Sequence, residues 1–332
     1  MFEGKTILVT GGTGSFGTAF VKLTLAKYKP RKIVIFSRDE MKQWHMAQSY
    51  ADDQRVKFIL GDVRDSQSIR RAVRGVDYVV HAAAAKIVPL AEYNPFDCTN
   101  TNILGAMNLI DACYDAGVEK VVSLSTDKAS APANLYGATK LVSDKLFISG
   151  NVSAEQSGTK FSVVRYGNVM GSRGSVIPVF LKARETGVLP ITNASMTRFM
   201  ITLEEGIELV WQAFADMVGG EIYVRKIPSM SVDQIAMAVA PDAERKIIGI
   251  RPGEKLHEQM ISSDESDYTF EYDSFYKVLP TINEWYKDSS RIGSGKKVDS
   301  GFTYASESNP EWMSVAVLRK WIEGNKHLIG GF

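Results

Sequence analysis

Two hydrophobic patterns alternate along the first half of the chain. Short apolar runs rich in β-branched residues predict strands at 5–10, 32–36, 56–60, 77–81, 120–125 and 161–166. Longer amphipathic stretches predict helices near 15–28, 39–49, 66–74, 99–116 and 136–149. Strands that are apolar on both faces and separated by helices form parallel sheets covered on both sides. The pattern therefore predicts an α/β fold with a Rossmann-like, doubly wound parallel sheet.

The pattern becomes irregular and richer in Pro and Gly after Gly171. We expect one domain over 1–168, and a smaller lobe with a C-terminal tail over 169–201 and 229–332. A helical segment at about 203–216 interrupts the irregular part. We therefore expect 202–228 to return to the first domain and pack on its sheet.

A glycine-rich stretch, TGGTGSFG at 10–17, follows the first predicted strand and opens the first predicted helix. Glycines at these places allow a tight turn, a close approach of backbone to a pyrophosphate, and close packing of helix on strand. The helix N-terminus offers free amides and a positive dipole end to phosphates. The stretch predicts a dinucleotide site formed by Gly11, Thr13, Gly14, Ser15, Phe16 and Gly17, although a ligand-free structural turn is the alternative.

The end of the second predicted strand indicates which dinucleotide binds. An acid there would bind the ribose 2′-hydroxyl of NAD, but the chain reads FSRDE at 36–40. Arg38, with Ser37 and Lys42, can hold a 2′-phosphate through charge-assisted hydrogen bonds. The two acids after Arg38 are expected to begin the next helix. We therefore predict NADP rather than NAD, with a merely solvated arginine as the alternative.

Two further strand ends complete the expected cofactor site. Asp62 follows the third strand, where it could bond an adenine amino group, and a helix N-cap is the alternative for the neighbouring Asp65. The run from His81 to Ala85 closes the fourth strand, and its small side chains let a ribose or nicotinamide approach the backbone; packing against a helix is the alternative. The additional cofactor contacts are Asp62, Val63, Ala82, Ala83, Ala84, Lys86 and Val169.

A tyrosine and a lysine lie four residues apart at the start of a predicted helix, so Tyr136 and Lys140 project from one face. A nearby ammonium is expected to lower the tyrosine pKa by favouring its charged form. Tyr136 can then take a proton from a sugar or steroid hydroxyl as hydride leaves for NADP, and Lys140 can also bond the nicotinamide ribose. Ser125 and Thr126 end the fifth strand just before this pair, where open α/β sheets bind ligands.

An acid and an amine, Asp127 and Lys128, stand directly after Thr126. A simple alcohol dehydrogenase needs no such pair. A surface salt bridge is the alternative interpretation of these two residues. Their place at the carboxyl end of a strand favours a second acid–base function beside the redox pair.

At this point the chain resembles the extended short-chain dehydrogenase/reductase superfamily, and within it the inverting UDP-N-acetylglucosamine 4,6-dehydratases. Only the tail beyond about residue 265 is weakly matched. At 84–89 the chain reads AAKIVP, where members often have Ala-Leu-Lys-His-Val-Pro, so hexose packing near Lys86 is left open. The shared motifs are TGGTGSFG, FSRDE, GDVRD (61–65), AEYNP (91–95), STDKA (125–129), NLYGATK (134–140), RYGNV (165–169), GSRGSV (171–176), MTRF (196–199), KIPSM (226–230) and IGIRPGEKLHE (248–258).

The resemblance implies a hydro-lyase that oxidises carbon 4 of UDP-N-acetylglucosamine, eliminates water across carbons 5 and 6, and returns hydride to carbon 6. Elimination needs a base at carbon 5 and an acid at the leaving hydroxyl. Asp127 is assigned to the acid and Lys128 to proton exchange at carbon 5, while Thr126 bonds the 4-hydroxyl beside Tyr136. Lys128 must then be neutral, and we expect the charges of Lys140 and the oxidised nicotinamide to lower its pKa.

The resemblance also implies inversion at carbon 5, giving UDP-2-acetamido-2,6-dideoxy-β-L-arabino-hexos-4-ulose, and a homo-oligomer such as a hexamer. Such enzymes start pseudaminic acid and related bacterial sugar pathways. The group that protonates the far face of carbon 5 stays open between water and Lys128. The residues assigned to the nucleotide sugar are Lys86, Asn168, Arg173, Arg198, Arg251 and Glu254, with a solvated surface position as the alternative for any single arginine.

Three rival functions use the same motifs in part. A nucleotide-sugar 4-epimerase also uses tyrosine, lysine and a held cofactor, but it needs no acid–base pair for carbons 5 and 6. A retaining or further-epimerising dehydratase is harder to separate by sequence. A cofactor-sensing binding module should lack one of Asp127, Lys128, Tyr136 or Lys140, and all four are present.

Composition excludes several other classes of protein. Of 332 residues, 45% are hydrophobic and 23% charged, and 39 Lys plus Arg balance 38 Asp plus Glu, so nothing indicates nucleic acid binding. The four histidines are far apart, which predicts no metal site, and no apolar run approaches the ~20 residues of a membrane helix. Cys98 and Cys113 form no CxxC, and the first strand leaves no room for a signal peptide, so we expect a cytoplasmic protein.

Overall fold

The computed structural model describes residues 1–153, 158–172, 174–326 and 329. Its strands are β1 (Thr6–Thr10), β2 (Lys32–Ser37), β3 (Val56–Leu60), β4 (Tyr78–His81), β5 (Lys120–Leu124), β6 (Lys160–Arg165), β7 (Asn168–Val169), β8 (Val188–Ile191), β9 (Thr197–Ile201), β10 (Ile222–Arg225), β11 (Ser229–Ser231), β12 (Glu244–Ile247), β13 (Gln259–Ile261), β14 (Thr269–Glu271), β15 (Phe275–Val278), β16 (Lys296–Lys297) and β17 (Tyr304–Ala305).

The α-helices are α1 (Ser15–Lys27), α2 (Glu40–Gln48), α3 (Ser66–Ala72), α4 (Val88–Tyr93), α5 (Pro95–Thr99), α6 (Gly105–Ala116), α7 (Leu135–Ser153), α8 (Val176–Ala183), α9 (Leu203–Asp216), α10 (Val232–Val239), α11 (Ser289–Ile292) and α12 (Val315–Gly324). Short 3₁₀ segments cover Asp127–Ala129, Arg184–Thr186, Ser263–Tyr268 and Ile282–Lys287, and a π-helical turn covers Asn100–Leu104.

The main sheet confirms the predicted fold class. Its strand order is β16-β14-β15-β10-β6-β5-β4-β1-β2-β3. The strands from β10 to β3 pair in parallel, while β15, β14 and β16 add an antiparallel edge. The order reverses between β1 and β4, so helices lie on both faces and a crevice opens at the carboxyl ends of the central strands.

The alternation of side chains along β1 shows how helices cover both faces of the sheet. Ile7 and Val9 are buried in one apolar cluster, to which α1 contributes Phe20 and α9 contributes further side chains. Leu8 is buried in the other cluster, with side chains from α3, α6 and α7. Each fully buried aliphatic or aromatic side chain contributes about 1.5–3 kcal/mol, so these two layers carry most of the hydrophobic stabilisation.

The predicted elements of the first half are present with end shifts of at most two residues, except that α7 continues four residues beyond the predicted end at 149 and that the region around 99–116 differs. There the structure places α5, a π-helical turn and α6 in succession, instead of one helix. The buried Asn102 in that turn exchanges hydrogen bonds with the backbone of Ala85 at 2.8 and 3.0 Å. The turn thereby holds the end of the β4 loop at the crevice.

The segment 202–228 contains helix α9 and strand β10. Helix α9 begins with a capping box formed by Thr202 and Glu205 and packs beside α1, where the Trp211 indole donates to Thr24 Oγ1 at 3.1 Å. Strand β10 then pairs in parallel with β6. The chain leaves the main sheet after β6, and β10 brings it back to pair beside β6.

The smaller lobe has its own apolar cluster, which includes Phe180, Ile191, Met200, Ile235 and Leu318. It contains the sheets β11-β9-β7 and β12-β8. The structure differs from the predicted division in one respect, because β14, β15 and β16 leave the C-terminal region to join the main sheet. Among the helices of the described residues, none is long and apolar enough to cross a membrane.

Candidate active site

One cleft of about 880 Å³ lies where the sheet order reverses, between the main sheet and the smaller lobe. All residues predicted to contact a cofactor line it, and so do all predicted substrate residues except Arg173, which lies outside the described residues. Four of the five predicted catalytic residues, Thr126, Lys128, Tyr136 and Lys140, also line the cleft. Asp127 is fully buried just behind the cleft wall.

The glycine-rich loop is built for close backbone contact. Gly11 has a φ of +65°, and a Cβ there would come within 2.8 Å of the Ala83 nitrogen. A Cβ on Gly17 would lie 2.5 Å from the Gly12 Cα, so only glycine lets α1 pack this closely on the loop. No side chain caps the N-terminus of α1, which leaves its positive end facing the cleft. The loop therefore fits the pyrophosphate of a dinucleotide.

Arg38 is in a position to contact a ligand at the rim of the cleft. Its side chain is 61% exposed, and its closest charged partner is Asp62 at 3.9 Å. The neighbouring Lys42 instead pairs with Asp39 at 2.9 Å, and the buried Ser37 Oγ accepts from Gln43 at 3.1 Å. Arg38 thus offers an exposed guanidinium beside the end of β2.

Asp62 has a protein partner already. Its carboxylate accepts hydrogen bonds from the Arg64 guanidinium, the shortest at 2.6 Å. Although burial alone would raise its pKa, these bonds with Arg64 lower the pKa of Asp62 below its ordinary value. The cap that the sequence offered as an alternative is provided by Asp65, which accepts from Gln67 at the start of α3.

Tyr136 and Lys140 lie on the first turns of α7 and are both buried. Burial raises the pKa of Tyr136 to about 12, and the Lys128 charge and the Thr126 hydroxyl act in the opposite direction. The expectation that Lys140 lowers this pKa is wrong for this structure. The ammonium that acts on Tyr136 is that of Lys128, and desolvation of the phenol outweighs it.

The buried environment of Lys140 affects its pKa. Burial lowers its pKa, and the buried Asp144, one helical turn further along α7, partly offsets the effect. The buried His81 faces the same region, with its Nδ1 2.8 Å from Thr10 Oγ1. Burial and the Lys140 charge lower the pKa of His81 to about 3, so the imidazole is neutral. Lys140 and a neutral His81 thus lie together at this part of the cleft floor.

Asp127 and Lys128 begin a 3₁₀ turn directly after β5. The Lys128 Nζ lies 3.0 Å from Asp127 Oδ1, and Thr126 Oγ1 donates to the same carboxylate oxygen at 2.9 Å. The other oxygen, Asp127 Oδ2, is buried and makes no hydrogen bond to any residue that the structure describes. The pair is thus part of the cleft wall and not a solvated surface salt bridge.

Glu258, just before β13, is a third member of this cluster that the sequence analysis did not assign. Its Oε1 lies 3.0 Å from Lys128 Nζ and 3.8 Å from Arg198 Nε. Ser306 fixes its backbone, donating to the Glu258 oxygen at 2.8 Å and accepting from its nitrogen at 2.9 Å. Only the position of Glu258 at the end of the motif IGIRPGEKLHE could have drawn attention to it.

The two carboxylates reverse the expected effect on Lys128. Burial opposes its charge, but Asp127 and then Glu258 outweigh burial and raise the pKa of Lys128 above its ordinary value. The prediction of a lowered pKa is therefore wrong for the protein without ligands. The physical reason is the charge of Asp127, to which Glu258, far from Lys128 in the sequence, adds a second carboxylate.

The predicted substrate arginines occupy two different environments. Arg198 is buried, and its guanidinium donates to the carbonyl oxygens of Thr197, Leu256 and Lys255 at 2.7–3.2 Å. Arg251 is 60% exposed at its side chain and pairs with Glu254 at 2.5 Å. Arg251 is therefore the more available of the two for a diphosphate.

The segment that carries Arg251 is anchored to the residues before Tyr136. Asn134 Nδ2 donates to the Gly253 oxygen at 2.7 Å, and Lys255 Nζ donates to the Ser130 oxygen at 2.9 Å. Asn168, in β7, and Lys86, after β4, lie on other walls of the same cleft. The described residues predicted to bind substrate thus line the same cleft as Lys128 and Lys140.

No group of three or more His, Cys, Asp or Glu that could hold a metal ion occurs in the described parts of the chain. The donors in the cleft are ammonium groups, hydroxyls, guanidinium groups and backbone amides. Such groups suit phosphates and sugar hydroxyls.

The sheet order, the glycine-rich loop and the tyrosine–lysine pair define the class, which is a short-chain dehydrogenase/reductase-type protein. The family described as polysaccharide biosynthesis protein matches residues 7–280. The chain belongs to this family. It is also 53% identical, over 321 residues that cover 95% of this chain and 96% of the relative, to a Campylobacter jejuni protein named UDP-N-acetylglucosamine 4,6-dehydratase (inverting).

Two other similarities bear on the fold and on rival functions. A Rickettsia akari protein named UDP-glucose 4-epimerase is 43% identical over 287 residues, covering 84% of each chain. The X-ray structure of Pen from Bacillus thuringiensis superposes with a TM-score of 0.89 and 34% identity, covering 98% of this chain and 99% of that one. Relatives of this architecture therefore carry both dehydratase and epimerase names.

Proposed function

We propose that the protein is a UDP-N-acetylglucosamine 4,6-dehydratase that inverts carbon 5. The observation that carries the proposal is the cluster of Asp127 and Lys128 in the same cleft wall as Tyr136. Lys128 Nζ lies 3.0 Å from the Asp127 carboxylate, which is buried, while the Lys128 side chain is 21% exposed toward the cleft. The identity with the Campylobacter jejuni protein over nearly the whole chain supports the same substrate.

A nicotinamide dinucleotide fits the loop in which any Cβ on Gly11 or Gly17 would collide with backbone. The residues that would hold it are those of 11–17 at the pyrophosphate, Arg38 at the adenosine ribose and Lys140 at the nicotinamide ribose. When bound, the cofactor accepts hydride from carbon 4 and returns it to carbon 6. The remaining steps concern protons, and the chain supplies the groups for them.

Tyr136 takes the proton of the 4-hydroxyl. Its own pKa, raised to about 12 by burial, must fall for this step, and Lys128 and Thr126 already act in that direction. A cation beside the phenol stabilises the phenolate, so Lys140 and the positive nicotinamide ring would add to the effect when the site is filled. Thr126 at the end of β5 orients the hydroxyl.

Asp127 and Lys128 then serve the elimination. The new 4-ketone acidifies the hydrogen on carbon 5, and Lys128, which lines the cleft, exchanges that proton. Asp127 lies behind Lys128 and Thr126 and gives the proton that the departing oxygen needs. Positioned general acid–base groups of this kind contribute about 10²–10⁴-fold in rate.

Substrate anchoring is proposed for Lys86, Asn168, Arg198 and Arg251, with Glu254 holding Arg251. Arg251 is the exposed member, and its planar guanidinium suits bidentate contact with a diphosphate. The buried Arg198, which donates to three carbonyl oxygens, shapes the wall beside Glu258 instead of reaching far into the cleft.

A 4-epimerase is the rival with a specific observation behind it, the Rickettsia akari relative. The test is to incubate the purified protein with UDP-N-acetylglucosamine and a catalytic amount of NADP and to follow the sugar by NMR. The proposal expects a 4-keto-6-deoxy sugar with a new methyl signal. Formation of the 4-epimer without loss of water would refute it.

NADP is proposed over NAD because Arg38 offers an exposed guanidinium where a 2′-phosphate would lie. Dissociation constants for the two cofactors test this choice by titration calorimetry. We expect NADP to bind about tenfold or more tightly, as a charged hydrogen bond contributes about 1.5–3 kcal/mol. Equal affinity for NAD would contradict it.

We propose that the working form is a homo-oligomer in the cytoplasm. Leu90, Tyr93 and Phe96 on α4 and α5 are 56%, 83% and 83% exposed, which is unusual for large apolar groups so close together. A second copy of the chain is the partner expected to cover them, and light scattering of the purified protein tests it. Cys98 and Cys113 are both free and buried, which suits a reducing compartment.

A further inference from the structure

Glu258 faces the acid–base pair from the other side of the cleft wall. Its Oε1 lies 3.0 Å from Lys128 Nζ, the same distance that separates this nitrogen from Asp127 Oδ1. The residue is only 2% exposed, yet it lines the cleft. Its second oxygen, Oε2, is buried and has no hydrogen-bond partner among the described residues. One ammonium is thus shared by two buried carboxylates.

The charged groups around Glu258 make Lys128 its main partner. Asp127 and Lys128 face it from the turn after β5, Arg198 from β9, and Lys255 from its own segment. Arg198 directs hydrogen bonds to backbone carbonyls and reaches Glu258 only at 3.8 Å. Lys255 donates to the Ser130 oxygen. The neighbouring His257 turns away, with Nδ1 2.8 Å from Thr197.

We propose that Glu258 is the proton partner of Lys128 during dehydration, a proposal that rests on the function proposed above. Before elimination, an N–H bond of Lys128 breaks and an O–H bond forms on Glu258 Oε1, so an ion pair becomes a neutral pair. The free electron pair of Nζ can then take the proton from carbon 5. Glu258 acts through Lys128, and in that sense it is a positioning residue.

The balance of the elimination follows from this transfer. The C5–H bond breaks as the new N–H bond forms, and its electron pair becomes the bond between carbons 5 and 6. The C6–O electron pair leaves with the oxygen, which receives one proton from the Asp127 carboxyl and departs as water. Glu258 keeps its proton until Lys128 delivers its own proton to carbon 5 or to solvent.

Two physical features favour this exchange. Crowding two carboxylates around one ammonium in a buried site favours protonation of one of them, since like charges cannot both stay ionised cheaply. The Lys128 side chain is still 21% exposed, and a bound sugar would cover it. Removing that water favours a neutral amine and acid over an ion pair.

The exchange has a signature in the pH dependence. While Lys128 and Glu258 are both present, the proton moves from one to the other, and the total number of protons on the two groups is constant. The dehydration rate should therefore not depend on pH between the two macroscopic pKa values of this pair. Without the Glu258 carboxyl, Lys128 must lose its proton to solvent, because Asp127 already holds the proton for the leaving oxygen. The neutral fraction then rises tenfold per pH unit below the lysine pKa, ordinarily about 10.4.

The experiment uses Glu258→Gln, which keeps the shape of the side chain, and measures deuterium entry at carbon 5 and dehydration of UDP-N-acetylglucosamine between about pH 6 and about pH 9. We expect the rate near neutral pH to fall by about 10²-fold or more, with a slope toward tenfold per pH unit. Reduced cofactor should still form, because oxidation at carbon 4 does not use Glu258. Glu258→Asp should recover part of the rate and the flat profile.

The matched control is Glu221→Gln, a buried glutamate near the amino end of β10 that bonds Ser162 and the amides of Val218 and Gly219. Its profile should stay flat. If Glu258→Gln, or Glu258→Ala where the former does not fold, gives the wild-type profile and rate, the proposal is overturned. A wild-type protein that forms no 4-keto sugar would instead defeat the proposed function.

Discussion

Replacing Lys128 by methionine removes one charge from a site with two buried carboxylates. Asp127 and Glu258 each lose an ammonium at 3.0 Å, and among the described residues Arg198, 3.8 Å from Glu258, is the one cation left within ion-pair distance of that glutamate. Methionine keeps the apolar stem, so the change is mainly electrostatic. Breaking a buried ion pair by removing one partner costs about 3–5 kcal/mol of unfolding free energy, and we expect a loss of this size at mildly alkaline pH.

The loss of unfolding free energy caused by Lys128→Met should be smaller at acidic pH. Burial raises the pKa of Glu258 in the folded protein, and in the wild type the Lys128 charge partly offsets this effect. The variant lacks the Lys128 charge, so its Glu258 pKa should be higher still. A carboxyl whose folded pKa exceeds its unfolded value of about 4.3 destabilises the fold increasingly as pH rises through that window. The extra loss in the variant should therefore grow with pH above about 4.3, by at most about 1.4 kcal/mol per unit.

Urea unfolding followed by circular dichroism, at about pH 5 and about pH 8, measures this difference. The wild-type protein at both pH values is the reference. We expect the variant to lie clearly further below the wild type at the higher pH. A loss below about 1 kcal/mol at the higher pH, or one that is the same at both, would show that the two carboxylates do not depend on Lys128.

Four further outcomes are expected. Lys128→Ala should abolish dehydration while leaving NADP affinity unchanged in calorimetry, because the lysine lies away from the glycine-rich loop. Arg251→Ala should raise KM for UDP-N-acetylglucosamine about tenfold or more with an unchanged cofactor dissociation constant, since one charged contact contributes about 1.5–3 kcal/mol; an unchanged KM would refute its role. Gly17→Ala should weaken NADP binding at least about tenfold, because its Cβ would lie 2.5 Å from the Gly12 Cα. Turnover should be complete with cofactor far below substrate concentration, and NADPH released in proportion to product would indicate an ordinary dehydrogenase.

The main sheet could be predicted because residues adjacent in the sequence mark where each strand begins and ends. Strands β1 to β6 are continuous apolar runs, and the turns between them carry the glycines and acids that end strands and begin helices. The strands β14 and β16 could not be predicted in the same way. They have three and two residues, and they join the antiparallel edge through pairing that no local pattern specifies.

The candidate site likewise combines residues that are close together in the sequence with one that is distant. Asp127, Lys128, Tyr136 and Lys140 are close in sequence, so spacing alone places them together. Glu258 reaches Lys128 only because the segment before β13 packs against the turn after β5, a long-range contact that adds to the effect of Asp127 on the pKa of Lys128. The part of that pKa shift that Glu258 causes was therefore beyond a prediction based on neighbouring residues.

The most direct test of the account is the configuration at carbon 5. The purified protein is incubated in deuterium oxide with UDP-N-acetylglucosamine and catalytic NADP, and the first-formed product is analysed by NMR. The account predicts the L-arabino 4-keto sugar with one solvent deuteron at carbon 5. A first-formed product with the D-xylo configuration, or with the original hydrogen at carbon 5, would contradict it.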